Sequence, residues 1–227
     1  MLTRKAIHVF FASTLLLTLL PSLSIGQTGH GQAPAKGALI QVRAWEGGLL
    51  PQEVVEQIRK IPNVAHAESF LEGKTADGVQ VIGVEPAPML QLRSDKEVLA
   101  VAIVQGRGLE PGDAPEAMVV GKTFAQHNKT ALGLSIPAML TKDHFPPIIV
   151  GGQGFAIVGI YATGDPKTDD HVLVLLATAQ QLLNQPGRLS GVYVTPSAPA
   201  TADQVANDLR RALGETVEVA ALVHRQQ

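Results

Sequence analysis

The sequence predicts an α+β fold in which the two ends of the chain meet in one sheet and the middle is inserted between them. Three observations carry this. A strand, helix, strand pattern follows residue 37, a second such pattern closes the chain, and residues 75–187 between them read mostly as strands. Each terminal unit leaves one face of its strands unburied, and four strands side by side, backed by two helices, bury both.

In the first unit, residues 38–45 alternate Ala38, Ile40, Val42 and Ala44 with Leu39, Gln41, Arg43 and Trp45, the period of two of a strand with one drier face. Val54, Val55, Ile58 and Ile61 follow at helical spacing, with Pro51 suited to the first turn and Pro62 ending the helix. Residues 64–71 form the second strand. In the closing unit, residues 190–195 read as a strand, and Thr201 and Gln204 stand at capping-box spacing. Val205, Leu209, Ala212 and Leu213 share one helix face, Gly214 supplies a left-handed stop, and residues 216–222 return as a strand.

Inside the insertion, residues 78–85 alternate and residues 98–104 form a nearly continuous apolar run. Residues 117–120 lead into a helix over 122–131 with Phe124 and Ala125 inward. Residues 148–150 meet Phe155 through a glycine-rich loop of hairpin type, after an irregular link made by Pro137, Pro146 and Pro147. Residues 155–161 are a strand in which Gly159 marks a close backbone approach, followed by a polar turn over 163–170, a second strand and a short helix beginning near Ala177. No fixed-period repeat occurs, which argues against a solenoid or propeller.

With 227 residues, 45% hydrophobic and 17% charged, the chain can bury a substantial core. It has no cysteine, so thiolate catalysis and cysteine-type zinc sites are excluded. Aromatics are 4% and no basic block is interleaved with them, so nucleic acid is not an expected partner. Arg4 and Lys5 precede an apolar run over 6–20, then Pro21 and the small-x-small Ser24-Ile25-Gly26. That order marks residues 1–26 as a signal peptide. Carried on to Ile25, the run also reaches the roughly 20 residues of an N-terminal membrane anchor, so 6–25 as an inner-membrane anchor is the alternative. Either way the chain is exported, periplasmic or extracytoplasmic. Residues 27–37 read as a flexible leader.

No catalytic constellation is visible. Gly121-Lys-Thr123 has the ending of a phosphate loop without its first glycine, Gly106-Arg-Gly108 fails the dinucleotide pattern, and no Gly-x-Ser-x-Gly elbow occurs. His66, His127, His144 and His171 lack metal-ligand spacing. Asp165, Asp169, Asp170 and His171 are the densest titratable set. Their spacing is not that of a calcium loop, so they read as a solvated turn, with a partner-contact loop as the functional reading. Trp45 reads as a packing residue, with an exposed binding aromatic as the alternative. No catalytic residue, cofactor or metal is expected.

One ordered series of residues goes further. Gly83-Val-Glu-Pro86, Gly106-Arg107 with Asp113, Met118-Val-Val-Gly121 with Ala125, Leu132-Gly-Leu134, Phe155, Val158-Gly-Ile160, Asp169-Asp170, Leu176-Ala-Thr-Ala-Gln180, Gly187-Arg188 and Tyr193-Val194 resemble the MacB-like periplasmic core domain of ABC transporter permeases of the MacB, LolC/LolE and FtsX type. The resemblance spans residues 38–222. It implies a discontinuous ferredoxin-like "porter" domain (38–74 and 188–223) interrupted by a strand-rich "sabre" domain (75–187). It also implies a non-enzymatic extracytoplasmic role: binding a partner protein or cargo in a transport or envelope assembly, the partner being a permease/ATPase complex, a periplasmic adaptor or a lipoprotein. Here Ser135-Ile-Pro137 replaces the family's Gly-Asp turn. The permease membrane helices expected after the domain do not follow, so an accessory subunit, a regulatory copy or the remnant of a split permease is expected. A periplasmic small-ligand or substrate-binding protein, with a pocket between the two parts, is the alternative.

Overall fold

Alternating apolar residues make the first strand: β1 (Leu39–Ala44) places Ile40 and Val42 in the main core. The structure, a computed structural model, describes residues 39–86, 91–94, 97–141 and 144–224. The expected signal peptide or anchor and the leader lie outside the described residues. After β1 come β2 (Leu50–Pro51), α1 (Val54–Arg59), β3 (Val64–Lys74) and β4 (Gln80–Val84). Then follow β5 (Gln91–Ser94), β6 (Glu97–Ala100), β7 (Ala102–Gly106), β8 (Ala117–Gly121), α2 (Lys122–His127), α3 (Ile136–Met139), β9 (Pro147–Val150) and β10 (Gln153–Ala162). The chain closes with β11 (His171–Leu175), α4 (Leu176–Leu182), β12 (Arg188–Leu189), β13 (Gly191–Pro196), α5 (Ala202–Leu213) and β14 (Val217–His224).

The ends of the chain pair in the order β14-β1-β13-β3, every neighbour antiparallel, with Leu39 opposite Leu222 and Ile40 opposite Val194. β13 runs between the two strands of the first unit and β1 between the two of the second. Two split β-α-β units interleaved in this way are the ferredoxin-like arrangement. Val55 and Ile58 of α1 and Val205 and Leu209 of α5 pack with Ile40, Val42, Val192 and Val194 in one core. The capping box is formed in both directions, with the Gln204 amide donating to Thr201 Oγ1 at 3.2 Å and the Thr201 amide to Gln204 Oε1 at 2.9 Å.

The sheet continues without a gap into the insertion as β3-β4-β11-β8-β10-β7, with β9 also on β10. β4 and β11 are parallel, as are β8 and β10, whereas β11 and β8 are antiparallel, so the α+β sheet is mixed. The main core runs through both halves, from Ile58 and Leu209 to Phe124, Leu140 and Ile157. On the opposite face Ile82, Leu92, Val119, Tyr161 and Leu173 form a second cluster. β10 carries the close approach expected of Gly159, where a Cβ would stand 2.0 Å from the Arg107 carbonyl oxygen. Gly151 and Gly152, both at positive φ, turn β9 into β10 across a two-residue loop.

Local boundaries differ from the expectation where tertiary bonds compete. Pro51 lies in β2 opposite Arg188, and the Gln52 amide donates to the Gly187 carbonyl, so the helix starts later, at Val54. α2 stops at His127, where Asn128 leaves the helical region (φ −106°, ψ 162°) and its side-chain amide turns back to donate to the Phe124 carbonyl. The apolar run 98–104 divides into β6 and β7 at Val101. Trp45 is 61% exposed, not a packing residue: Glu46 (φ 56°) and Gly47 (φ 76°) turn the chain immediately after it and take it out of the strand alternation.

Candidate interaction site

The turn between β10 and β11 holds the four residues singled out by sequence. Buried Asp169 accepts hydrogen bonds from the Thr163 backbone amide and hydroxyl through Oδ1, both at 2.7 Å. Asp165 Oδ2 accepts from the Thr168 amide at 3.2 Å and from its hydroxyl at 2.5 Å. His171 Nδ1 lies 2.9 Å from the Thr168 carbonyl, and fully buried Tyr161 donates its hydroxyl to the same carbonyl at 2.7 Å. Burial, and behind it the negative charges of Asp169 and Asp170, push the Tyr161 phenol well above its ordinary pKa, so it stays a donor. The start of α2 leans on this turn: a Cβ on Gly121 would meet the Asp169 carbonyl oxygen at 2.1 Å. Two of the three carboxylates therefore organise the turn, and Asp170 is the exposed one.

A different surface stands out at the sheet's edge. β8 occupies one side of β10, so β9 (on residues 153–156) and β7 (on 159–162) lie end to end along the other. Of the seven large apolar side chains exposed among the described residues, six belong to this edge and the segment leading to it: Ile103, Val104, Leu132, Leu134, Phe145 and Ile149. The loop carrying Leu132 and Leu134 is tied to β9 by the Ala131 amide donating to the Pro147 carbonyl at 2.8 Å, and to itself through Thr130. Gln105 of β7 donates to the Pro137 and Leu140 carbonyls, and the Arg107 guanidinium lies 6.0 Å from the Phe145 ring centre while pairing with Asp113 at 2.6 Å. The sequence signal for this surface was present. Leu132-Gly-Leu134 and Phe145-Pro-Pro-Ile-Ile149 are apolar residues among Gly and Pro, with too little regular structure to bury them all.

The described residues also line two concavities. A groove of about 500 Å³ beside α5 is polar, lined by Asn63, Pro199, Gln204, Asn207, Asp208 and Arg211. At the junction of β3, β4 and β5, a cavity of about 10 Å³ has room for little more than one water. Glu68, Glu72 and the stacked rings of Phe70 and Tyr193, 4.4 Å apart, line it. Burial raises the Glu68 pKa, His66 opposes the shift and Glu85 adds to it. Among the described residues, no three His, Asp or Glu side chains converge as a metal site, and no helix is long and apolar enough to cross a membrane.

A ferredoxin-like sheet built from the two chain ends and extended by a strand-rich insertion defines the fold class, a mixed α+β domain. The family model of the MacB-like periplasmic core domain matches residues 15–212, and the chain belongs to that family, whose members are periplasmic domains of ABC transporter permeases. Among solved structures, it is similar to the periplasmic region of MacB from Actinobacillus actinomycetemcomitans (9% identity, 81% of this chain and 88% of that one, TM-score 0.55). It is also similar to the extracellular domain of the noncanonic ABC-type transporter YknZ from Gram-positive bacteria (12% identity, 80% and 99%, TM-score 0.54). At such identities these two likenesses speak to the fold alone. No curated protein sequence matches the chain.

Proposed function

We propose that this chain is a non-enzymatic extracytoplasmic module that binds a partner protein or cargo in a transport or envelope assembly, held at the membrane by its partner or by residues 6–25. The observation that carries this reading is the concentration of exposed large apolar side chains on the edge of the inserted half, on a sheet continuous with the ferredoxin-like half. Contiguous exposed apolar surface marks interaction sites, and a continuous sheet passes a force on that edge to the chain ends. The division into a porter-like part (38–74 and 188–223) and a sabre-like part (75–187) belongs to this reading. Asp170, the exposed carboxylate of the β10–β11 turn, is a candidate second contact. Recovery of a permease, ATPase, adaptor or lipoprotein with the tagged chain from membranes in mild detergent is the expected result. Recovery of none of them would remove the reading.

The groove beside α5 supports a second reading, a binding protein for a small polar ligand. A ligand of that groove raises the melting temperature by mass action in a thermal-shift screen, and Asn207→Leu abolishes the response. A screen without any response leaves this reading without support.

A further inference from the structure

The two halves of the chain share a further contact on the face of the sheet turned away from α1 and α5. The antiparallel pair β5–β6 lies across it, with Leu92 packed among Ile82, Val84 and Leu173 of the inserted half and Val98 among Leu39, Phe70, Tyr193 and Leu222 of the terminal half. Among the described residues the pair joins the sheet at two register positions, Val223 opposite Glu97 and His224 opposite Val98. β3, by contrast, is paired with β13 from Val64 to Phe70 and with β4 from Phe70 to Lys74. So short a ladder makes β5–β6 the part of this region that opens at least cost. Under it is the cavity of about 10 Å³ lined by Glu68, Glu72, Glu85 and Leu92. Two of its three carboxylates are answered: Glu72 takes the Arg43 guanidinium at 2.9 Å, and Glu85 takes the Ser69 hydroxyl at 2.9 Å and Arg59 at 3.3 Å. Half-buried Glu68 has no hydrogen bond or ion pair among the described residues, and the charges acting on it are His66 of its own strand and Glu85. The other titratable groups on the elements around it are the Tyr193 phenol opposite it on β13, Arg93 and Glu97 on β5 and β6, and His224 on β14.

We propose that β5 and β6 form a strap that is latched over β3 and β13 while Glu68 is protonated and lifts when Glu68 ionises, uncovering the stacked rings of Phe70 and Tyr193. Ionised, Glu68 calls for more water than a space of this size holds. Of the cavity's walls, Leu92 is the one not anchored in a full ladder, so it is the one that yields. The direction with pH follows from burial, which raises the Glu68 pKa and makes the closed strap favour the neutral carboxyl. That contribution is full below the ordinary carboxyl value of about 4.3 and is lost as pH rises through the higher value of the closed state. The strap is separate from the apolar edge at β7 and β9 and does not depend on what binds there.

The test is hydrogen–deuterium exchange of the full chain near pH 5 and near pH 7.5, with rates normalised to the intrinsic exchange at each pH. Protection of residues 91–100 should fall severalfold at the higher pH, while that of β1 and β13 holds. In Glu68→Gln, which keeps the size of the side chain, protection of 91–100 should stay high at both pH values. In Leu92→Ala it should be low at both, again with β1 and β13 unchanged, because the strap has lost a buried anchor. Protection of 91–100 in the unsubstituted chain that does not change with pH overturns the proposal. So does a pH-dependent loss that persists in Glu68→Gln, which would assign it to another group such as His66 or His224. A loss that spreads equally through β1 and β13 overturns it as well, since the whole sheet, and not the strap, would then be opening.

Discussion

α5 and α2 sit on the same face of one sheet and are held by different forces. α5 has twelve residues, a reciprocal cap at Thr201 and Gln204, and a stripe of Val205, Ala206 and Leu209 under it, so local chemistry and packing agree. α2 has six residues and no side-chain cap, too short to be stable on its own. It exists because Phe124 and Ala125 are buried and because Gly121 lets its first turn touch the Asp169 carbonyl. The terminal half is thus assembled from elements that are individually plausible, and the inserted half from contacts between residues far apart in sequence.

Backbone contact should therefore be the most sensitive point of the inserted half. Gly121→Ala forces a Cβ into the Asp169 carbonyl, which no flexible side chain can relieve, and should lower the urea-unfolding free energy by roughly 3–5 kcal/mol. Gly154→Ala, where a Cβ meets nothing within 4 Å, should stay within about 0.5 kcal/mol. Similar losses from both would show that the close approach is not what holds α2. In the terminal half, Leu209→Ala removes a fully buried side chain and should cost about 3 kcal/mol. Because the core cluster runs through both halves, it should move the whole unfolding curve. A far-UV circular dichroism curve with two separate steps, only the first of them shared with Trp45 fluorescence, would mean that the two halves unfold independently.

The contrast also explains what could be read in advance. The capping box, the alternation of β1 and the successive strands β10 and β11 depend on neighbours in sequence, and they stand where the periodicity puts them. The late start of α1 depends on the Gly187 carbonyl, a partner that no local pattern announces, whereas α2 is cut short locally, at Asn128, whose side chain turns back on the Phe124 carbonyl. The same holds for the candidate sites. The Asp165–His171 cluster was conspicuous because charges are easy to see in a sequence, yet Asp169 faces inward, since Thr163 offers two donors there. The apolar edge was less conspicuous, because Leu132, Phe145 and Ile149 read as core residues until their exposure is known.

Smaller effects separate the two halves by chemistry. Asp169→Ala strands the Thr163 amide in a buried site and should cost about 2 kcal/mol. Thr201→Ala loses only the cap of a solvent-facing helix start and should cost about 1 kcal/mol. The reverse order, measured as urea midpoints at a common slope, would mean that the polar turn is not the rigid element described.

The smallest effect is a difference in sign with pH. Glu68, in the terminal half, has its pKa raised, first by burial, so folding favours its neutral form. Its contribution is full below the unfolded carboxyl value of about 4.3 and is lost as pH rises through the higher folded value. Asp113, in the inserted half, has its pKa lowered, first by the hydrogen bond from Arg107, so its contribution is present above an unfolded value of about 3.9 and is lost as pH falls through the folded one. Glu68→Gln should then leave stability unchanged near pH 4 and raise it near pH 7.5, because the substitution removes a charge that the folded state holds at a disadvantage. Asp113→Asn should do the opposite, weakening the fold near pH 7.5 and less so as the pH falls. Paired urea titrations at the two pH values decide it: if Glu68→Gln destabilises more at pH 7.5 than at pH 4, the Glu68 carboxylate is held by a favourable partner and burial is not the dominant influence on it.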